Sequence, residues 1–181
     1  MSEFNEHFCE KNQIAQGFLP VAMNSGANAG DWVSMKEYGR VAIVIFKAVG
    51  TAGDDPTIAV KQAQDVSGTN AKVLGFTEVR KKQAATNLLA VDQFTRSTVA
   101  SPALNDTFTV ASGTWTNSDL AEQAAIIVID IKVEDLDVNG GFDCVQVSIA
   151  DIGTNAQLGS ALYFGHEPRY PKDALDSMIV D

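Results

Sequence analysis

Phe142 to Ile152 reads FDCVQVSIADI, and its alternation decides the fold class. Val145, Val147 and Ile149 share one face, while Cys144, Gln146 and Ser148 share the other. A period of two marks a half-buried strand. Ala125 to Val133 (AIIVIDIKV) is continuous at first, then alternates at Ile129, Ile131 and Val133. Arg40 to Val49 (RVAIVIFKAV) is so rich in Val and Ile that it reads as a strand buried on both faces over much of its length. Thr57 to Gln64, Val73 to Lys82, Thr107 to Ser112 and Leu158 to Phe164 extend the series. Gly50 to Pro56 (GTAGDDP) and Asp65 to Asn70 (DVSGTN) are turn material between them. Asn87 to Phe94 (NLLAVDQF) fits neither period, so a helix and a bulged strand both stay open there. Asp119 and Glu122 have capping-box spacing, which predicts a single helical turn over Leu120 to Ala124. About eight short strands without a long helix predict an all-β fold, a jelly-roll-like β-sandwich.

Arms flank this sandwich. Residues 1–17 are polar and lack sustained periodicity, so they read as an N-terminal arm in which Phe4 and Phe8 lie on one face of a short helix. Residues 18–164 form the β-sandwich domain. Residues 165–181 hold Pro168 and Pro171 and read as an extended C-terminal tail with an apolar tip, Met178, Ile179 and Val180.

The 181 residues carry 23 acidic and 13 basic side chains, a formal charge of −10. That balance argues against nucleic acid, which needs a basic face to displace counterions, and against anionic membranes. The longest apolar runs, Val41 to Phe46 and Ala124 to Ile129, fall far short of the ~20 residues a bilayer-spanning helix needs. Glu3, Glu6 and Glu10 near the N-terminus, with no apolar stretch, do not make a signal peptide, so synthesis in a cytoplasm is expected. Cys9 and Cys144 then read as free thiols.

Catalytic patterns are sparse. There is no GxxxxGK[ST], no GxGxxG after a strand, no GxSxG and no CxxC. A cupin-type metal site needs converging histidines, and His7 and His166 sit one in each tail. Asp54 with Asp55, and Asp130 with Glu134, are the visible carboxylate pairs for glycosidase chemistry, but solvated surface explains them better. Asp135, Asp137, Asn139 and Asp143 with Gly140 match the opening of a calcium loop. Position twelve is Gln146 instead of the bidentate Glu, and the flanks read as strands. An Asx-rich hairpin connection, with Asn139-Gly140-Gly141 supplying positive φ, is therefore favoured over weak calcium binding. No other cofactor is indicated. Trp32 and Trp115 sit beside turns and read as core or inter-subunit residues, with a sugar-stacking shelf as the competing role.

Three blocks of sequence carry a resemblance. The first runs from Glu37-Tyr38-Gly39-Arg40 through Phe46-Lys47 to Gly50-Thr51-Ala52-Gly53-Asp54-Asp55-Pro56-Thr57. The second joins Ala121-Glu122-Gln123-Ala124-Ala125-Ile126 with Glu134-Asp135-Leu136-Asp137 and Gly141-Phe142-Asp143-Cys144-Val145. The third is Asn155-Ala156-Gln157-Leu158-Gly159, leading to Arg169-Tyr170-Pro171. Together, over roughly residues 30–172, they resemble head auxiliary proteins of tailed bacteriophages, of the capsid decoration or cement type. The resemblance implies a non-enzymatic virion protein on the capsid surface, bound to the major capsid protein and forming a homotrimer. Phe4, Phe8, Trp32, Trp115, Tyr170, Met178, Ile179 and Val180 are then the candidate capsid or inter-subunit contacts. The competing expectations are a carbohydrate- or receptor-binding module of the virion neck or tail, and a β-sandwich hydrolase acting through carboxylates.

Overall fold

The computed structural model describes residues 7–170 and 175–180. One short helix, α1 (Phe8–Lys11), precedes the strands. They are β1 (Gln13–Ala22), β2 (Asn28–Ala29), β3 (Val33–Ser34), β4 (Tyr38–Lys47), β5 (Ile58–Ala63), β6 (Lys72–Val73) and β7 (Glu78–Ala84). Then come β8 (Thr95–Thr98), β9 (Asp106–Thr109), β10 (Thr114–Asn117), β11 (Ala124–Lys132), β12 (Cys144–Ile149) and β13 (Leu158–Pro168). Among the described residues, no helix is long and apolar enough to cross a membrane.

Two antiparallel sheets pack face to face. One has the order β1-β13-β4-β11-β7-β8. The other has β2-β12-β5-β10-β9, with β3 also on β12 and β6 also on β5. The chain swaps sheets at eight of the twelve connections between these strands. The segment β1-β13-β4-β11 facing β2-β12-β5-β10 is the strand order of an eight-stranded jelly roll. The β7–β8 hairpin widens the first sheet and β9 widens the second.

Alternation explains the core. Ile43 and Ile45 of β4 sit in register with Ile129 and Ile127 of β11, and all four are buried. They face Val60 of β5 and Val147 and Ile149 of β12, which are buried from the other side. Trp115 on β10, beside Ile58 of β5, closes one end and has no exposed surface. At about 25 cal/mol per Å² of apolar surface, this packing is the dominant favourable term. Tyr163 of β13 crosses the interlayer space, and its hydroxyl accepts the Val147 N–H at 2.9 Å. Gly30 packs beneath it: a Cβ there would lie 2.6 Å from the Tyr163 hydroxyl.

Several expectations need correction. Only one face of β4 is fully covered, because Phe46 points outward and is 57% exposed. Asn87 to Phe94 is neither helix nor strand but the irregular connection of the β7–β8 hairpin. Leu120 to Ala124 forms consecutive turns, Leu120 N–H to Asn117 O and Gln123 N–H to Leu120 O, instead of a helical turn. The expected hairpin at Asn139-Gly140-Gly141 is instead a crossover from β11 in one sheet to β12 in the other; Gly141 does take positive φ, at 78°.

The arms are shorter than expected. Strand β1 starts at Gln13, so residues 13–17 belong to the sheet. Its alternation is hidden by a register shift between Gln16 and Phe18. Gly17 makes that irregularity possible, since a Cβ would sit 2.8 Å from the Ala161 carbonyl oxygen. Strand β13 runs on to Pro168. The tail then returns to its own domain: the Ser34 N–H donates to Met178 O at 2.7 Å, and the Tyr38 hydroxyl donates to Asp176 O.

Three buried polar groups make stability depend on pH. Lys47 points inward and its Nζ donates to Leu120 O and Gln123 O, tying the turn before β11 to β4. Burial pushes its ammonium down to about 8, against the pull of Asp55 and Glu122. The Tyr38 phenol is pushed up to about 12, chiefly by burial and then by Asp176 and Glu37. Burial pushes Tyr163 up as well.

Lys47 releases its proton near pH 8 in the fold but keeps it to 10.5 when unfolded, so raising pH across that window favours the fold. The tyrosines act the other way above pH 10, where the unfolded phenols ionise first. Urea titrations are expected to show unfolding free energy rising from pH 8 to 10 and falling beyond it, with the rise lost in Lys47→Met. Tyr163→Phe strands the Val147 N–H and is expected to cost about 1–3 kcal/mol without changing the far-UV spectrum.

Candidate functional site

The outward face of the six-stranded sheet is a surface that the described residues leave largely uncovered. Registers place Ser160, Phe46, Ile126 and Lys82 in one row across β13, β4, β11 and β7. The next row is Gln16, Leu162, Val44, Val128, Arg80 and Arg96, from β1 to β8. The third holds Ile14, Phe164, Ala42 and Asp130, and the fourth His166, Arg40 and Lys132. Ile14, Phe46, Leu158 and Leu162 are all exposed. Phe8 of α1 extends the field, meeting Phe164 edge-on with ring centroids 6.0 Å apart.

Charged groups rim this apolar field. Arg40 donates to Asp130 at 2.8 Å and to Glu167 at 3.2 Å, and His166 approaches Asp130 at 3.3 Å. The bond to Asp130 raises the Arg40 guanidinium further. Glu78 accepts from Arg96 and Arg80, and the bond from Arg96 holds its carboxyl below the usual range. Arg40, Arg80, Lys82, Arg96 and Lys132 thus gather on one face of a chain whose net charge is −10. Among the hollows on this face, two are of similar size. One of about 680 Å³ sits among Arg40, Asp130, His166 and Phe76. The other, about 650 Å³, is walled by Phe46, Val49, Leu88, Leu89 and Leu158.

The sequence-predicted residues scatter. Phe4 lies outside the described residues. Phe8 does lie on this outward face, against Phe164, and Tyr170, Ile179 and Val180 are exposed beyond it. Trp115 is a core residue, which corrects its expected inter-subunit role. Met178 is 1% exposed: it fills space beside Gly165 and Tyr38 of its own domain instead of a neighbour's. Trp32 is half-buried and packs over Gly68, whose φ of +81° and missing Cβ leave room for the indole.

The calcium-loop residues do not converge. Asp135 accepts the Lys132 N–H, Asp137 accepts the Gly140 N–H and the Lys72 ammonium, and Asp143 pairs with Lys36. The Lys72 bond also holds the Asp137 carboxyl low. A set of carboxylates already committed to two ammonium groups and two backbone amides does not fit a calcium shell. The other carboxylates are likewise engaged separately. Asp54 accepts from Asn155 and Asp55 from the Ala121 N–H, while Asp130 serves Arg40 and Glu134 serves Lys132. Cys9 is exposed and Cys144 buried, and among the described residues neither is in a disulfide.

Sequence reasoning missed Leu158, Leu162, Phe164 and Ile14 as surface residues. They alternate with buried residues such as Ala161, Tyr163 and Ala15, and period alone does not say which of two apolar faces is covered.

Comparison with known protein families finds no model that matches this chain, and no curated protein matches it.

Proposed function

We propose that this chain is a virion structural protein of the capsid decoration type. It binds the outer surface of a phage capsid through the outward face of its six-stranded sheet and bridges major capsid protein subunits there. One observation carries the reading: β4, β11 and β13 are apolar on both faces, yet the fold covers only one. A strand patterned for burial on both sides calls for cover on both sides. Exposed apolar fields of this kind mark contact with another protein. The resemblance in three sequence blocks supplies the kind of partner.

The mechanism is passive. Burying the field across a seam between shell subunits adds free energy that must be overcome to separate them. At about 25 cal/mol per Å² a modest footprint repeated over a shell is sufficient. The paired charges at the rim orient the contact more than they strengthen it. A homotrimer at three-fold positions, an absence of turnover and residence on the virion follow from the same reading. A sugar- or receptor-binding role would rest on an accessible indole; Trp115 has no exposed surface, which leaves Trp32, half-buried over Gly68, as the indole such a role would use.

The double variant Phe46→Asp with Leu162→Asp changes only outward side chains. It is expected to weaken binding to capsids lacking this protein by about tenfold or more. Lys61→Ser, at the exposed position of β5 in the opposite sheet, is expected to bind as the native chain does. Equal binding by the double variant overturns this docking face, and no binding by the native chain overturns the decoration reading itself.

A further inference from the structure

Between the sheets, at the β7 end, lies a cluster that the docking reading does not use. Lys81 of β7 points inward, its side chain 4% exposed, and its Nζ donates to Asp106 Oδ1 at 2.5 Å. The Asp106 side chain, on β9, has no exposed surface. Asn117 of β10 is the cross-strand partner of Asp106 and is fully buried. Its Nδ2 donates to the same Asp106 Oδ1 at 2.7 Å and to Leu104 O at 3.1 Å. Its Oδ1 accepts the Asp119 N–H at 3.1 Å. The Trp115 ring covers the cluster, with Lys81 Nζ 5.6 Å from its centroid. Asp106 Oδ2 and Trp115 Nε1 are both buried with no hydrogen-bond partner among the described residues.

A buried ion pair is an expensive way to hold two sheets together. Desolvating both charges offsets much of their attraction, and an unpaired carboxylate oxygen adds to the cost. What the cluster does possess is the set of parts for an amide exchange. An amine, a carboxamide and a carboxyl group that touches both are held in a dry pocket, which is the arrangement of nucleophile, electrophile and proton carrier. The leaving nitrogen faces the carboxyl group. The carbonyl oxygen faces a backbone N–H, which is where an oxyanion needs a donor.

We infer that Lys81 Nζ and Asn117 Cγ become joined by an intramolecular isopeptide bond, with Asp106 carrying the proton. The Lys81 ammonium passes a proton to Asp106, and the freed lone pair attacks Asn117 Cγ. The new C–N bond pushes the carbonyl electrons onto Oδ1, beside the Asp119 N–H. Asp106 delivers its proton to Nδ2 and takes the surplus proton from the attacking nitrogen. The Cγ–Nδ2 bond then breaks and ammonia leaves. No oxidant, metal or cofactor enters, and Asp106 ends with the proton that Lys81 began with. The product replaces a buried charge pair with a neutral covalent tie from the six-stranded sheet to its opposite. Asp106 itself is a poorer electrophile here, because among the described residues no second carboxyl group bonds to the Lys81–Asp106–Asn117 cluster to carry the proton.

Intact-mass measurement of the purified, denatured full chain tests this. A mass below the sequence value by about 17 Da, one ammonia, is expected. A tryptic digest is expected to yield a branched peptide joining Lys81 to Asn117. Asp106→Asn removes the proton carrier with little change in shape and is expected to restore the full mass. An unchanged native mass overturns the inference, and so does a loss of about 18 Da mapped to Asp106. The native-chain result decides the matter even if the variant fails to fold.

Discussion

Everything in this molecule depends on one constraint: the central strands of the six-stranded sheet are apolar on both faces, and a two-layer fold covers only one. The inner face is satisfied by β5, β10 and β12. Ile43, Ile45, Ile127 and Ile129 meet Val60, Val147 and Ile149 across the layer and fix how the sheets stack. Among the described residues, the outer face has no such partner. Val44, Phe46, Ile126, Val128, Leu162 and Phe164 occupy the positions between those core residues and face out. A jelly roll has no third layer, so the apolar outer face is an inherent consequence of this sequence on this fold. The reading of the chain as an assembly protein starts from that surplus.

The fold class was legible because alternation is a local signal. Phe142 to Ile152 and Ala125 to Val133 each present a period of two that no helix would tolerate, and both became strands close to where the pattern placed them. Strand β1 was not legible, because Gly17 shifts the register and makes Gln13 to Ala22 read as two unrelated halves. The turns around Leu120 were misread for a different reason. Capping-box spacing is local, but Lys47 and Asp55 reach this segment from elsewhere in the chain and hold it as consecutive turns. Tertiary hydrogen bonds overrode a local preference there.

The sites were less legible than the fold. The sequence marks which residues are apolar, and that is enough to predict that Trp115 and Met178 are buried somewhere. It does not say in which molecule. Met178 goes home because Gly165 leaves a space beside Tyr38, a complementarity between residues far apart in the chain. The Lys81, Asp106 and Asn117 cluster was invisible for the same reason. Each is an ordinary polar residue in its own segment, and only the crossing of β7 over β9 and β10 brings them to one oxygen. The calcium-like spacing at Asp135 to Asp143 was legible but misleading, since Lys72, Lys36 and two backbone amides claim the carboxylates first.

The central claim is that this surplus apolar face covers the seams of a shell. The measurement that bears on it most directly is the copy number per purified particle, by quantitative mass spectrometry against the major capsid protein. The account predicts hundreds of copies per particle, in a simple ratio to the capsid subunit, as repeated shell sites require. Absence from particles, or about a dozen copies or fewer, contradicts it, since a shell-wide cement cannot be rare.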